Sequence, residues 1–186
     1  MEPKDVDVLL VTHFHLDHCG ALPYFTEKTE FAGRVFMTHP TKAVYKMVLD
    51  DSVMVSSAQN PLFGKEDVEK SMEKIDVINF HEEVEHMGIK FTCYNAGHVL
   101  GACMFLIDIA GTKILYTGDY SREEVRHIQG AEIPKEKVDV LIVESTYGAK
   151  TRDERDVREK MFLDQVHKII KRDGKVLLPV FVLGRA

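Results

Sequence analysis

Hydrophobic residues occur along the chain in short runs separated by polar loops, and the period of those runs changes from one to the next. Residues 5–11 (DVDVLLV) and 34–38 (RVFMT) are apolar runs of strand length, and 19–28 (CGALPYFTEK) between them predicts a short helix. From Thr41 to Val55, Ala43, Val44, Met47, Val48 and Asp51 follow a mostly apolar helical spacing, which predicts a longer helix. Residues 56–64 contain Asn60, Pro61 and Gly64 and read as a loop. A charged helix over 66–74 then leads into strands at 75–80 and 89–94. Residues 102–109 and 113–117 are β-rich runs joined by Ala110, Gly111 and Thr112, the pattern of a hairpin.

The run 138–145 (VDVLIVES) is nearly continuous in its apolar content, as expected of a strand covered on both faces. Residues 155–171 carry an apolar stripe of Phe162, Val166, Ile169 and Ile170 with basic residues at the end, where they suit the helix dipole. Asp173 and Gly174 are expected to stop this helix, and 175–183 to form a last strand that Pro179 confines to an edge. Strands mix with helices throughout, so the fold class is α/β, with helices layered outside the sheet. No internal repeat or low-complexity segment interrupts this order.

Composition adds little beyond class. The 186 residues are 45% hydrophobic and 29% charged, within the range of one ordinary globular domain. The three cysteines form no CxxC pair and read as reduced thiols. The apolar runs are too short to span a bilayer, and MEPKDVD lacks the apolar core of a signal peptide, so no membrane partner is expected. A net charge of −6 weighs against a nucleic-acid partner.

The candidate chemistry reverses that last point. VTHFHLDHCGA (11–21) places His13, His15, Asp17 and His18 within six positions. Imidazoles and a carboxylate are what Zn²⁺ and other divalent first-row ions bind in catalytic sites. At the end of a strand, His13 and His15 project to one side, while Asp17 and His18 on the following turn can face a second ion. No histidine pair is four apart, so this is not the helical HExxH pattern; the alternative is a histidine-rich surface loop. His98 lies between Gly97 and Gly101, where a small backbone lets an ion approach or where a histidine serves structure alone. Asp119 ends the run ILYTGD and is either a turn former or a carboxylate whose two oxygens bridge two cations. Two divalent ions offset by two ligand carboxylates and a hydroxide would leave about one positive charge, which attracts a phosphate by roughly 4 kcal/mol at about 4 Å and an effective dielectric near 20. An acidic chain can therefore act on an anionic polymer.

HFHLDH resembles the HxHxDH motif of the metallo-β-lactamase superfamily. TCYNAGHVLGA (92–102), YTGDYS (116–121), VESTYG (143–148) and PVFVLGRA (179–186) are similar to segments of its β-CASP nucleases. The resemblance covers residues 6–186, and within those nucleases it is nearest the branch acting in pre-mRNA 3′-end processing. It implies an αββα sandwich truncated at both ends, lacking the first strands and the β-CASP insert. Residues 1–186 would be a partial metallo-β-lactamase domain ending at the junction with the β-CASP domain.

The same resemblance assigns His13, His15 and His98 to one metal, Asp17 and His18 to the other, and Asp119 to both. Asp17 and Glu144 are its candidate catalytic carboxylates, Glu144 matching the acidic residue that orients a histidine supplied from further along the chain. Glu144 is otherwise an ordinary solvated carboxylate. The implied cofactors are two Zn²⁺, with Mn²⁺ or Fe as alternatives. The implied reaction is hydroxide attack on an RNA phosphodiester at the polyadenylation site, with RNA (pre-mRNA) and other subunits of a cleavage and polyadenylation complex as partners, in the nucleus. The chain alone is expected to be inactive. Alternatives are an Integrator-type or other β-CASP RNA or DNA nuclease, a small-ester metallo-hydrolase, and a non-catalytic scaffold. His39, His81, His86 and His167 are expected to be surface or packing residues. His127 is a weaker site candidate, Cys19 a buried packing residue, and Lys168, Lys171, Arg172 and Lys175 a solvated helix end.

Overall fold

The structure is a computed structural model, and it describes residues 1–56, 61–151, 153–180 and 183. The chain forms two compact units, Met1–Glu144 and Ser145–Ala186.

In the first unit, β1 (Val8–Leu10), β2 (Arg34–Thr38) and β3 (Ile75–Ile78) make a parallel sheet in that order. Parallel neighbours require crossovers, and helices supply them. α1 (Leu16–Cys19) and α2 (Leu22–Glu27) join β1 to β2; α3 (His39–Ser56) and α4 (Lys65–Glu73) join β2 to β3. A five-stranded sheet follows, in the order β4 (Glu83–His86), β5 (Ile89–Asn95), β6 (Cys103–Ile109), β7 (Thr112–Tyr116) and β8 (Val140–Ile142). Its strands are antiparallel except for β8, which runs parallel to β7.

The alternation of β2 explains how the layers assemble. Val35 and Met37 pack with Val11, Leu22, Tyr45, Leu49 and Val68 on the helical side. Phe36, one residue out of phase, packs with Ile78, Phe91, Cys93, Cys103 and Phe105 between the two sheets. The order is therefore helices, sheet, sheet. This mixed α/β arrangement is consistent with the layered α/β fold expected from the sequence.

Several sequence expectations need correction. The first strand is only Val8–Leu10 and half-buried, because Pro3–Asp5 turns into a short 3₁₀ helix. The buried face of α3 is Thr41, Val44, Tyr45 and Leu49, whereas Met47 is exposed. Tyr45 is tolerated inside because its hydroxyl meets Ser71 Oγ at 2.7 Å. β4 was not expected, since EVEH carries a single strongly apolar residue; Met87 and Gly88, both at positive φ, turn it tightly into β5. Ala110 and Gly111 do the same between β6 and β7, as the hairpin pattern predicted.

The run expected to be covered on both faces is the three-residue edge strand β8, and Val140, Leu141, Ile142 and Val143 are all exposed. Part of the loop expected over 56–64 lies outside the described residues. In the second unit, α5 (Arg155–Ile170) ends as predicted, with Asp173 at positive φ and Gly174 N–H donating to Ile169 C=O at 3.0 Å. No residue of α5 is buried, Phe162 and Ile170 of the stripe included. The expected strand at 175–183 does not form over the described residues 175–180. Among the described residues, no helix is long and apolar enough to cross a membrane.

Candidate metal centre

Three separate loops of the first unit bring the chemistry together. The loop after β1 carries His13 and His15 and runs into α1, a single helical turn holding Asp17 and His18. The β5–β6 connection carries His98, and the turn after β7 carries Asp119. His13 Nε2 lies 3.1 Å from His15 Nδ1, and His98 Nε2 lies 3.2 Å from the same nitrogen. Asp119 Oδ2 stands 3.7 Å from His98 Nε2, while its Oδ1 stands 3.6 Å from His18 Nε2. Asp17 Oδ2 is 3.3 Å from the same His18 nitrogen. His13, His15, His98 and Asp119 each offer one ligand atom within 4.8 Å of the others, a group that could hold a metal ion.

The donor chemistry suits a borderline divalent cation. Ring nitrogens crowded at this distance cannot all be protonated, and burial adds to the effect. Burial first, and then the neighbouring His18, His98 and His15, together push the His13 pKa down to about 2. His15 is also lowered, first by burial, against the opposing pull of Asp17 and Asp119. Neutral imidazoles with free lone pairs are what Zn²⁺ ligation requires. His13 is wholly buried and its Nδ1 lies 3.0 Å from Thr12 Oγ1, a second bond of the kind that fixes the tautomer and turns the ring.

A pH dependence follows for the metal-free chain. The unfolded chain takes up a proton on this histidine near pH 6.5, whereas the folded one holds out to about 2. Between those limits the unfolded state binds more protons, so stability falls as pH drops below about 6.5. With chelator present, the urea midpoint is expected to be lower at pH 5.5 than at pH 7.5, and His13→Asn is expected to flatten that slope.

The backbone beneath these side chains is unusual. Gly97, His98 and Gly101 all have positive φ, at 65°, 54° and 78°. For a histidine this conformation costs roughly 1–3 kcal/mol, so surrounding contacts must hold it. Asn95 Oδ1 accepts from Gly97 N–H at 2.9 Å, and Ala96 C=O accepts from Ser121 N–H at 2.8 Å. Glu132 accepts from Asn95 N–H at 2.8 Å and meets His81 Nε2 at 2.9 Å. Gly118 is also left-handed, and a Cβ there would lie 2.8 Å from the Thr12 side chain.

Of the other candidates, Glu144 is half-buried two residues beyond β8, its N–H 3.4 Å from Thr117 Oγ1, and stands outside the four-residue group. Cys19 is buried, as expected. His39, His81, His127 and His167 are exposed, and none belongs to the group. The sequence reading missed Thr12, Asn95, Ser121 and Glu132. Each acts through the backbone or through a neighbouring ring, and nothing in its residue type or spacing announces that.

A family model described as a metallo-beta-lactamase superfamily domain matches residues 2–146. Cleavage and polyadenylation specificity factor subunit 3 of Dictyostelium discoideum is 60% identical over 185 residues, covering 98% of this chain and 24% of that protein. Subunit 3-I of the same factor in Arabidopsis thaliana is 57% identical over 188 residues, covering 100% of this chain and 27% of the relative. Endoribonuclease YSH1 of Mycosarcoma maydis is 57% identical over 187 residues, covering 97% and 21%. The chain thus spans about a quarter of the length of these curated relatives.

Proposed function

Because the chain belongs to the metallo-β-lactamase superfamily, we propose that its converging histidines and aspartates hold two divalent cations for phosphodiester hydrolysis. His13, His15 and His98 hold one ion, Asp17 and His18 the other, and Asp119 reaches both. Zinc fits the nitrogen and oxygen donors, with manganese or iron as alternatives. The observation that carries this reading is the Asp119 carboxylate, whose two oxygens face two different histidines at 3.6 and 3.7 Å.

When bound, such ions would supply a water acidified towards neutral pH and Lewis-acid polarisation of the phosphodiester oxygens. The chain's own residues do the rest. Thr12 keeps the buried His13 ring in one orientation. The loop around His98 fixes the third imidazole, and Glu144 orients a proton-donating group of the complete protein. The substrate is RNA, the activity endonucleolytic, and the setting pre-mRNA 3′-end processing in the nucleus, within a cleavage and polyadenylation complex. Relatives named as endoribonuclease and as subunits of such a factor, 57 to 60% identical, support that choice over a small-ester hydrolase. Residues 1–186 form part of a metallo-β-lactamase domain that adjoins a β-CASP domain in the complete protein.

The test is elemental analysis of the complete protein together with cleavage of an RNA oligonucleotide. Two ions per chain are expected, with cleavage lost on chelation and restored by Zn²⁺ or Mn²⁺. Cleavage that survives chelation, or a native protein that takes up no ions, overturns the proposal. A DNA oligonucleotide and a chromogenic lactam in parallel separate the alternative substrates.

A further inference from the structure

The loop that carries His98 is gripped from a second side, by a pair of threonines with no part in the ligand set. Thr38 closes β2 and Thr41 sits in the first turn of α3; both are buried, at 1% and 0% exposure. Thr38 Oγ1 donates to Gly101 C=O at 2.7 Å, and Thr41 Oγ1 reaches the same oxygen at 3.1 Å. The two hydroxyls are 2.9 Å apart, and Thr41 N–H points to Thr38 Oγ1 at 3.4 Å. Gly101 has no room to be anything else: a Cβ there would lie 2.7 Å from Pro40 Cβ and 2.9 Å from both Thr38 Oγ1 and Thr41 N.

His98 and Gly101 share one tight turn. Ala102 N–H donates to Val99 C=O, and Ala96 N–H donates to Ala102 C=O, each at 3.0 Å. Holding the carbonyl of Gly101 therefore fixes the end of the five-residue arc 97–101, whose second residue carries the imidazole. Two buried hydroxyls on one carbonyl exceed what chain reversal between β5 and β6 needs, since the Met87–Gly88 and Ala110–Gly111 turns reverse the chain in two residues.

We propose that Thr38 and Thr41 are positioning residues for the metal centre: their hydroxyls clasp Gly101 and so set the His98 ring against His15 and Asp119. This inference rests on the metal reading above. Its chemistry is that of an outer layer that aims a ligand, acting here through the main chain instead of through the far ring nitrogen.

The test uses the whole chain with Thr38→Val, which keeps the shape and deletes the hydroxyl, and Thr38→Ser, which keeps the hydroxyl. Cobalt(II) is titrated by its visible absorption, chelator-treated protein is melted, and the ring ¹⁵N resonances of His98 and His13 are recorded without metal at fixed pH. Thr38→Val is expected to weaken cobalt binding by about tenfold or more, to alter the cobalt spectrum and to move the His98 resonances while leaving those of His13 in place. Thr38→Ser is expected to restore all three. A lower melting temperature with unchanged cobalt affinity and unchanged His98 resonances overturns the proposal, as does equal loss in both variants. A wild-type chain that binds no cobalt instead overturns the metal reading, and the His98 resonances of the metal-free protein then decide separately whether the clasp holds the ring.

Discussion

Asp119→Ala in the complete protein is expected to lower RNA cleavage by at least about a thousandfold and to reduce bound metal below two ions per chain. The magnitude follows from the position of the carboxylate. Its oxygens lie 3.6 Å from His18 Nε2 and 3.7 Å from His98 Nε2, so under the proposed ligand set one truncation would remove a donor from both ions. Loss of several kcal/mol of transition-state stabilisation, of order 4, corresponds to about three powers of ten in rate. Asp119→Asn keeps the shape but only one good acceptor and no charge, and is expected to fall between the two. The side chain is 27% exposed and sits on a turn, so the chelator-treated variant should melt near the wild type. Cleavage unchanged in Asp119→Ala would sink the assignment of this residue.

Gly97→Ala is expected to be the more damaging change to the fold, at about 2–4 kcal/mol, and to take His98 with it. Two effects combine. The φ of +65° strains any residue with a Cβ, and the new methyl would lie 2.5 Å from Ser121 C=O and 3.0 Å from Gln129 C=O. Those neighbours are main-chain atoms and cannot swing aside as a side chain would. Gly111→Ala is the control, because Gly111 has φ +86° but nothing within 4 Å of the added methyl. It is expected to cost about 1 kcal/mol, from backbone strain alone. Urea midpoints of the two variants separate crowding from strain, and equal midpoints would show that Ser121 and Gln129 give way.

Legibility in the sequence followed locality. β2, α4 and the β6–β7 hairpin were read closely because each is specified by its own residues: an unbroken Val-Phe-Met run, a charged helix behind Gly64, and Ala-Gly at a turn. The ligand candidates were legible for the same reason, since three histidines and an aspartate crowd into HFHLDH. Their convergence with His98 and Asp119 was readable only through resemblance, because it depends on how the β5–β6 and β7 loops stack at one end of the two sheets. What failed was inference from apolarity to burial. The run 138–145 looked like a central strand, yet β8 lies at the sheet's edge with its side chains open. Met47, on the apolar spacing that predicts α3, is exposed, while Tyr45, outside that spacing, is fully buried with its hydroxyl bonded to Ser71. Hydrophobicity says that a residue gains from being covered; only the tertiary neighbours decide whether it is.

Thr12 shows what such neighbours impose. Its hydroxyl meets the His13 ring, its carbonyl accepts from Cys103 N–H at 2.9 Å, and its methyl and hydroxyl fill the space where a side chain at position 118 would go. Two stretches far apart in the chain thus share one allotment of volume directly under the site. Drift at either position is bound to the other: an alanine at 118 becomes tolerable only once residue 12 has shrunk. Serine at 12 does not escape the conflict, since it sheds only the methyl and its Cβ and Oγ would still lie 2.8 Å from the added carbon, while glycine surrenders the hydroxyl that steadies the first imidazole.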